Sequence, residues 1–138
     1  MNYLKLIKKA GEPTLAIPPH LVKLARDNLK IWQYTTLEET QARLKERIEE
    51  LDRFEYLAID DAGIIQAMMI ITMFPQEDHL GHDILYTKFS FSSDEGLLTN
   101  GYRWLIELAK LMKFRFIMTT RQTGPLEITH KIHELKIT

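Results

Sequence analysis

The densest group of side chains able to hold or move ions is His79-x-x-His82, flanked by Glu77, Asp78 and Asp83, and a second histidine pair, His130-x-x-His133, follows near the end. Imidazole and carboxylate are good zinc donors, but a site needs a third ligand from elsewhere in the fold, and neither spacing is diagnostic by itself. The simpler expectation is a solvated loop for the first group, one face of a surface helix for the second, and no metal. His82, Asp83 and Tyr86 border an apolar stretch and have the chemistry of a general acid or base. The competing role for Asp83 is a loop residue capping the start of a strand. Ser90 and Ser92 alternate with Phe89 and Phe91, so one pair faces a core and the other can face a cleft. No Gly-x-Ser-x-Gly, Walker loop or dinucleotide fingerprint occurs, which leaves serine hydrolase, P-loop and Rossmann chemistry without support. The absence of cysteine removes disulfides, thiolate nucleophiles and Cys-ligated metal.

These residues sit in a chain of 138 residues with 18 Lys plus Arg against 19 Asp plus Glu. That length suits one domain spanning residues 1–138. The net charge of −1 lacks the field of a dedicated nucleic-acid binder. No apolar run reaches the roughly 18 residues a membrane span needs, and the first 15 residues lack a signal-peptide pattern. The expectation is a soluble cytoplasmic protein without nucleic-acid or membrane partners.

The elements that must position the candidates follow from hydrophobic period. Tyr3 to Lys8 alternates as a short strand. Pro18-Pro19 then opens a helix to about Gln33, with Leu21, Leu24, Ala25, Leu29 and Trp32 at helical spacing. Thr36-Leu37-Glu38-Glu39 is a capping box for a second helix, whose apolar stripe is Leu37, Leu44, Ile48 and Leu51. Phe54–Ile59 and Ile64–Phe74 flank Asp60-Asp61-Ala62-Gly63, a β-hairpin whose second strand is apolar almost throughout and so belongs at the centre of a sheet. Ile84–Ser92 is a further strand. Thr99 or Asn100 caps a mostly buried helix over about Gly101–Lys113, and Phe114–Thr120 follows at once as a strand parallel to Ile84–Ser92. The methionines at 68, 69, 73, 112 and 118 lie in apolar elements and read as core filler. The fold class is mixed α/β, a central mixed sheet with helices on both faces.

This order of elements, and above all Tyr56-Leu57-Ala58-Ile59-Asp60-Asp61-Ala62-Gly63-Ile64-Ile65-Gln66-Ala67, resembles the GNAT superfamily of acyl-CoA N-acyltransferases. The resemblance implies transfer of an acetyl group from acetyl-CoA to an amine, with the cofactor at the start of the helix near Gly101. The family's loop, Arg or Gln, two residues, Gly, one residue, then Gly or Ala, corresponds to Asp94-Glu95-Gly96-Leu97-Leu98-Thr99-Asn100-Gly101. Only Gly101 matches a glycine there, the arginine is missing, and Asp94 with Glu95 repel phosphate. The resemblance assigns the cofactor to Phe89, Ser90, Phe91, Gly96, Thr99, Asn100 and Gly101. In the family the backbone of this strand polarises the thioester carbonyl. For proton transfer it points to Asp83 and Tyr86, and to His130 where the family carries a tyrosine on a short helix, here Leu126–His133. Leu135–Thr138 then leaves one stub of strand, so the C-terminal strands are expected to be truncated. An uncovered sheet edge implies a homo-oligomer or a partner protein. In length and in this expected truncation the chain is similar to compact acetyltransferase-like bacteriophage proteins with eroded motifs, which implies the alternative of an inactive structural or interaction protein in host cytoplasm or virion.

Overall fold

The computed structural model describes residues 1–74 and 84–136. In chain order the elements are β1 (Asn2–Lys8), α1 (Pro19–Asn28), a 3-10 turn (Lys30–Trp32), α2 (Leu37–Glu49), β2 (Arg53–Ile59), β3 (Ile65–Met73), β4 (Ile84–Ser92), α3 (Thr99–Leu111), β5 (Phe116–Gly124) and β6 (Glu127–Glu134). The six strands form one sheet in the order β1-β2-β3-β4-β5-β6. Every neighbouring pair is antiparallel except β4 and β5, which are parallel and joined by α3. The sequence expectation of a βαβ crossover therefore holds, and β4 has the bounds expected of it.

Period-2 alternation divides the core between the two faces of the sheet. Tyr56, Ala58, Ala67, Met69 and Ile71 pack with Trp104, Leu105, Leu108 and Ala109 of α3. Leu57, Met68 and Ile70, pointing the other way, pack with Leu21 of α1 and Ile48 of α2. This double burial is why β3 is apolar throughout. α2 starts as its capping box requires, with Glu39 N donating to Thr36 Oγ1 at 3.1 Å. The hairpin turn is held by Asp60, whose Oδ1 accepts from Ala62 N and Ile64 N, both at 2.9 Å. These bonds, and first of all the one from Gln66, hold the Asp60 carboxyl below its usual range.

A buried ion pair fastens the segment between β1 and α1. Arg53 Nε donates to Glu55 Oε2 at 2.5 Å with both side chains fully buried, Thr14 Oγ1 donates to Glu55 Oε1 at 2.9 Å, and Arg53 Nη2 donates to Glu12 O at 2.7 Å. Among the described residues no buried side-chain nitrogen or oxygen lacks a hydrogen-bond partner.

Several expectations are corrected. The helix expected over Leu126–His133 is strand β6, paired along β5 from Phe116↔Glu134 to Gly124↔Glu127. β5 runs on to Gly124 rather than ending at Thr120, and that longer edge offers backbone partners which a short helix would leave unmet. The sheet thus gains a full strand after β5, where only a stub at Leu135–Thr138 was expected. The first helix stops at Asn28 and yields to the 3-10 turn. α3 starts at Thr99 with Leu98 at the N-cap, so neither Thr99 nor Asn100 caps it. Met73 and Met112 are exposed, whereas Met68, Met69 and Met118 are core. The described residues contain no helix long and apolar enough to cross a membrane.

Candidate functional site

The site grows from an irregularity in β4. Ile71 pairs with Thr87 but Ile70 pairs with Phe89, so Lys88 is an extra residue on β4, a β-bulge. One inserted residue reverses which side chains face which side. Leu85, before the bulge, packs with α3, while Phe89 and Phe91, after it, pack on the side of α1 and α2. Ser90 and Ser92 consequently turn toward α3.

The same bulge ends the pairing with β5. The parallel ladder covers only Ile84–Tyr86 against Phe116–Met118. At the next step Thr120 N donates to the Thr87 hydroxyl at 3.2 Å. Beyond that point the strands part, and β4 keeps its ladder to β3 alone. Alternate amides and carbonyls of residues 88–92 then point into the gap rather than to another strand.

Two cavities open on this gap from opposite faces. On the α3 side a cavity of about 880 Å³ is lined by Ser90, Ser92, Gly96, Leu98, Thr99, Tyr102, Thr119 and Arg121, with Asp94 and Glu95 also on its wall. On the other side a cavity of about 270 Å³ lies between Leu24, Ala25, Asn28, Leu29 and Trp32, residues 88–92 of β4, and Thr120, Gln122 and Ile128. Ser90, Ser92, Thr120 and Gln122 line both.

The N-terminus of α3 faces the larger cavity. Its N-cap, Leu98, makes no side-chain cap and its first turn holds no acidic residue; Thr99 N donates to Gly96 O at 3.2 Å, and the positive end of the helix dipole points at the cavity. The loop before it turns at Gly96, whose φ of +83° suits glycine, and Tyr56 Oη donates to Leu97 O at 2.6 Å to hold it. Burial pushes the Tyr56 phenol up to about 12, which keeps it a donor at ordinary pH.

Of the residues the sequence singled out, Phe89, Ser90, Phe91, Gly96 and Thr99 come together on the cavity walls. Asn100 and Gly101 line neither cavity. A Cβ on Gly101 would lie 2.9 Å from Tyr56 Cδ1 and 3.0 Å from Met69 Cε, so this glycine lets α3 settle onto the sheet. Tyr86 is buried with Ile84 and Met118, its ring edge-on to Phe74 at 5.0 Å, below the point where the strands part. Burial raises its pKa. His130 stands on a strand, with Nδ1 3.0 Å from Thr120 Oγ1, so it touches a residue of the cleft. His133 points to the opposite face, toward Thr119, because residues three apart on a strand diverge. The pair therefore shares no face. Asp83, with His79, His82, Glu77 and Asp78, lies outside the described residues.

Sequence reasoning missed Arg121, Lys88 and Trp32. Arg121 alternates with Thr119 on the continuation of β5 and brings a cation to the wall shared with Asp94 and Glu95. Lys88 is visible in sequence only as one more residue of a strand.

No family model and no curated protein sequence matches the chain. Solved structures do. An acetyltransferase of the GNAT family from Listeria monocytogenes 4b F2365 superposes with a TM-score of 0.61 at 19% identity, over 96% of this chain and 95% of that one. An N-acetyltransferase from Staphylococcus aureus Mu50 gives a TM-score of 0.55 at 12% identity, over 89% and 75%. A transcriptional regulator from Bacillus halodurans C-125 gives 0.61 at 15% identity, over 88% and 83%. With its bulged fourth strand, parted fourth and fifth strands and crossover helix, the chain has the fold of the GNAT acetyltransferases.

Proposed function

We propose that this protein transfers an acetyl group from acetyl-CoA to an amine. The observation that carries the reading is the parting of β4 and β5 beside the uncapped N-terminus of α3, which puts unpaired strand amides and a helix dipole on one continuous gap. The residues present fit acetyl-CoA in kind: a long slot between strands for its arm, and the positive end of the α3 dipole beside Thr99 with the Arg121 guanidinium for its phosphates. Asp94 and Glu95 oppose that charge, but both are exposed and therefore screened by water.

The transfer breaks the thioester C–S bond and forms a C–N bond, while the amine loses one proton and the thiolate gains one. Backbone amides of β4 beyond Lys88 face the gap and can stabilise a developing oxyanion. The walls orient the two reactants, which accounts for much of the rate in a reaction without a covalent enzyme intermediate. The His130–Thr120 pair brings an imidazole to the edge of the cleft, where it takes up the amine proton.

Thermal unfolding with acetyl-CoA tests the reading. A ligand at one hundred times its dissociation constant adds about 2.7 kcal/mol to the native state, and free thiol should accumulate when an acceptor is present. The absence of any shift at millimolar acetyl-CoA would overturn it. That result would favour a catalytically silent interaction protein, the reading to which the acidic Asp94 and Glu95 at the cradle lend support.

A further inference from the structure

The smaller cavity has a composition that selects among amines. Its walls are apolar and aromatic: Leu24, Leu29, Trp32, Phe89 and Phe91, with Trp32 edge-on to Phe91 at 5.6 Å. Among the described residues its one charged side chain is Lys88, and no carboxylate lines it. A polyamine or lysine-like acceptor would bring cations to a wall that holds only a cation. Its volume of about 270 Å³ falls just below the usual range for ligand pockets, which suits a small molecule.

Gln122 adds a direction. Its Nε2 donates to Asn28 O and to Gly124 O at 3.2 Å, which anchors the amide and leaves its carbonyl oxygen to accept from an incoming N–H. Lys88, on the bulge where β4 begins to leave β5, supplies the complementary charge, with Nζ 5.9 Å from the centre of the Phe89 ring. An apolar body, one anion beside Lys88 and one amine beside Gln122 together describe a single class of molecule.

We infer that the acceptor is an α-amino acid with an aromatic or branched apolar side chain, its carboxylate held by Lys88 and its side chain seated against Trp32, Phe89 and Phe91. The inference rests on the acetyl-transfer reading for the fate of the amine, but binding of the acid can be measured without it. Trp32 is on the wall while Trp104 is packed in the core on the other face, so tryptophan fluorescence reports the pocket, and Trp32→Phe identifies that part of the signal.

The test titrates the full chain with L-phenylalanine, with phenethylamine, which lacks the carboxylate, and with spermidine. Phenylalanine should bind at least about tenfold more tightly than phenethylamine, the factor that one charge-assisted contact supplies, and spermidine should not bind. Lys88→Met should erase the preference for phenylalanine over phenethylamine, and Lys88→Arg should restore it. Binding of spermidine, equal affinity for the two aromatic compounds, or a preference unchanged in Lys88→Met would each overturn the inference. Thiol release from acetyl-CoA separates the two claims. Selective binding of phenylalanine with no thiol released with any amine leaves the ligand class standing and removes the transfer. Thiol released with other amines, phenylalanine neither binding nor reacting, removes the ligand class and leaves the transfer.

Discussion

From Ile84 to Thr87, β4 is buried and backed by neighbours on both sides, whereas from Phe89 to Ser92 it is half-buried and laddered to β3 alone. The two halves have similar residue types, with an aromatic ring and a hydroxyl in each. They differ because Lys88 is one residue too many for the partner strand. Before it, side chains complete a close-packed core; after it, the same kinds of side chain line cavities and backbone groups are left for a ligand. A single strand thus supplies both a rigid core segment and walls of the two cavities.

The sharpest way to break this comparison is to cut a cavity into the packed half. Leu85→Ala, at a side chain only 1% exposed, should cost about 2–5 kcal/mol, read as a lowered midpoint in urea, and leave acetyl-CoA affinity of the folded protein unchanged. The open half should answer in the opposite way. Ser90→Tyr fills the gap from a position lining both cavities, and should change intrinsic stability by less than about 0.5 kcal/mol while removing the stabilisation of about 2.7 kcal/mol expected from saturating acetyl-CoA.

Gly101 tests which side of the boundary the start of α3 belongs to. A methyl group there would meet Tyr56 and Met69, so overpacking should outweigh the gain in helix propensity and leave Gly101→Ala destabilised by about 1 kcal/mol net. Its response to acetyl-CoA should persist, because the added methyl lies against the sheet. Retained stability with lost ligand response would assign Gly101 to the cleft instead.

A last test concerns pH. The Tyr56 phenol is raised to about 12 in the fold, whereas the unfolded chain ionises near 10. Between these values the native state binds the extra proton, so stability is fully present below pH 10 and falls as pH rises toward 12. Tyr56→Phe should flatten that part of a stability profile from pH 9 to 12. A slope that survives the substitution would assign it to other groups.

Much of the architecture was legible because it follows from local pattern. The Thr36 box, the Asp60–Gly63 turn, the doubly buried β3 and the β4–α3–β5 crossover each rest on residues close together in sequence. The end of the chain was misread because the resemblance carried a short helix onto Leu126–His133, whereas the free edge of β5 made it a strand. Of the residues lining the cavities, Phe89, Ser90, Phe91, Gly96 and Thr99 were named beforehand through the resemblance. Arg121 was lost because β5 was ended too early. The meaning of Gly101 was transferred from a loop to a packing contact once its neighbours across the sheet were known.

Residue order alone determined the strand and helix types from β1 to β5, the two-sided burial of β3 and the parallel crossover, since hydrophobic period and turn chemistry act over a few residues. The bulge at Lys88, the parting of β4 from β5 and the cation facing an apolar pocket were decided only by the tertiary structure. Each depends on how many residues two distant strands bring to a shared register, and that count is a property of the pair.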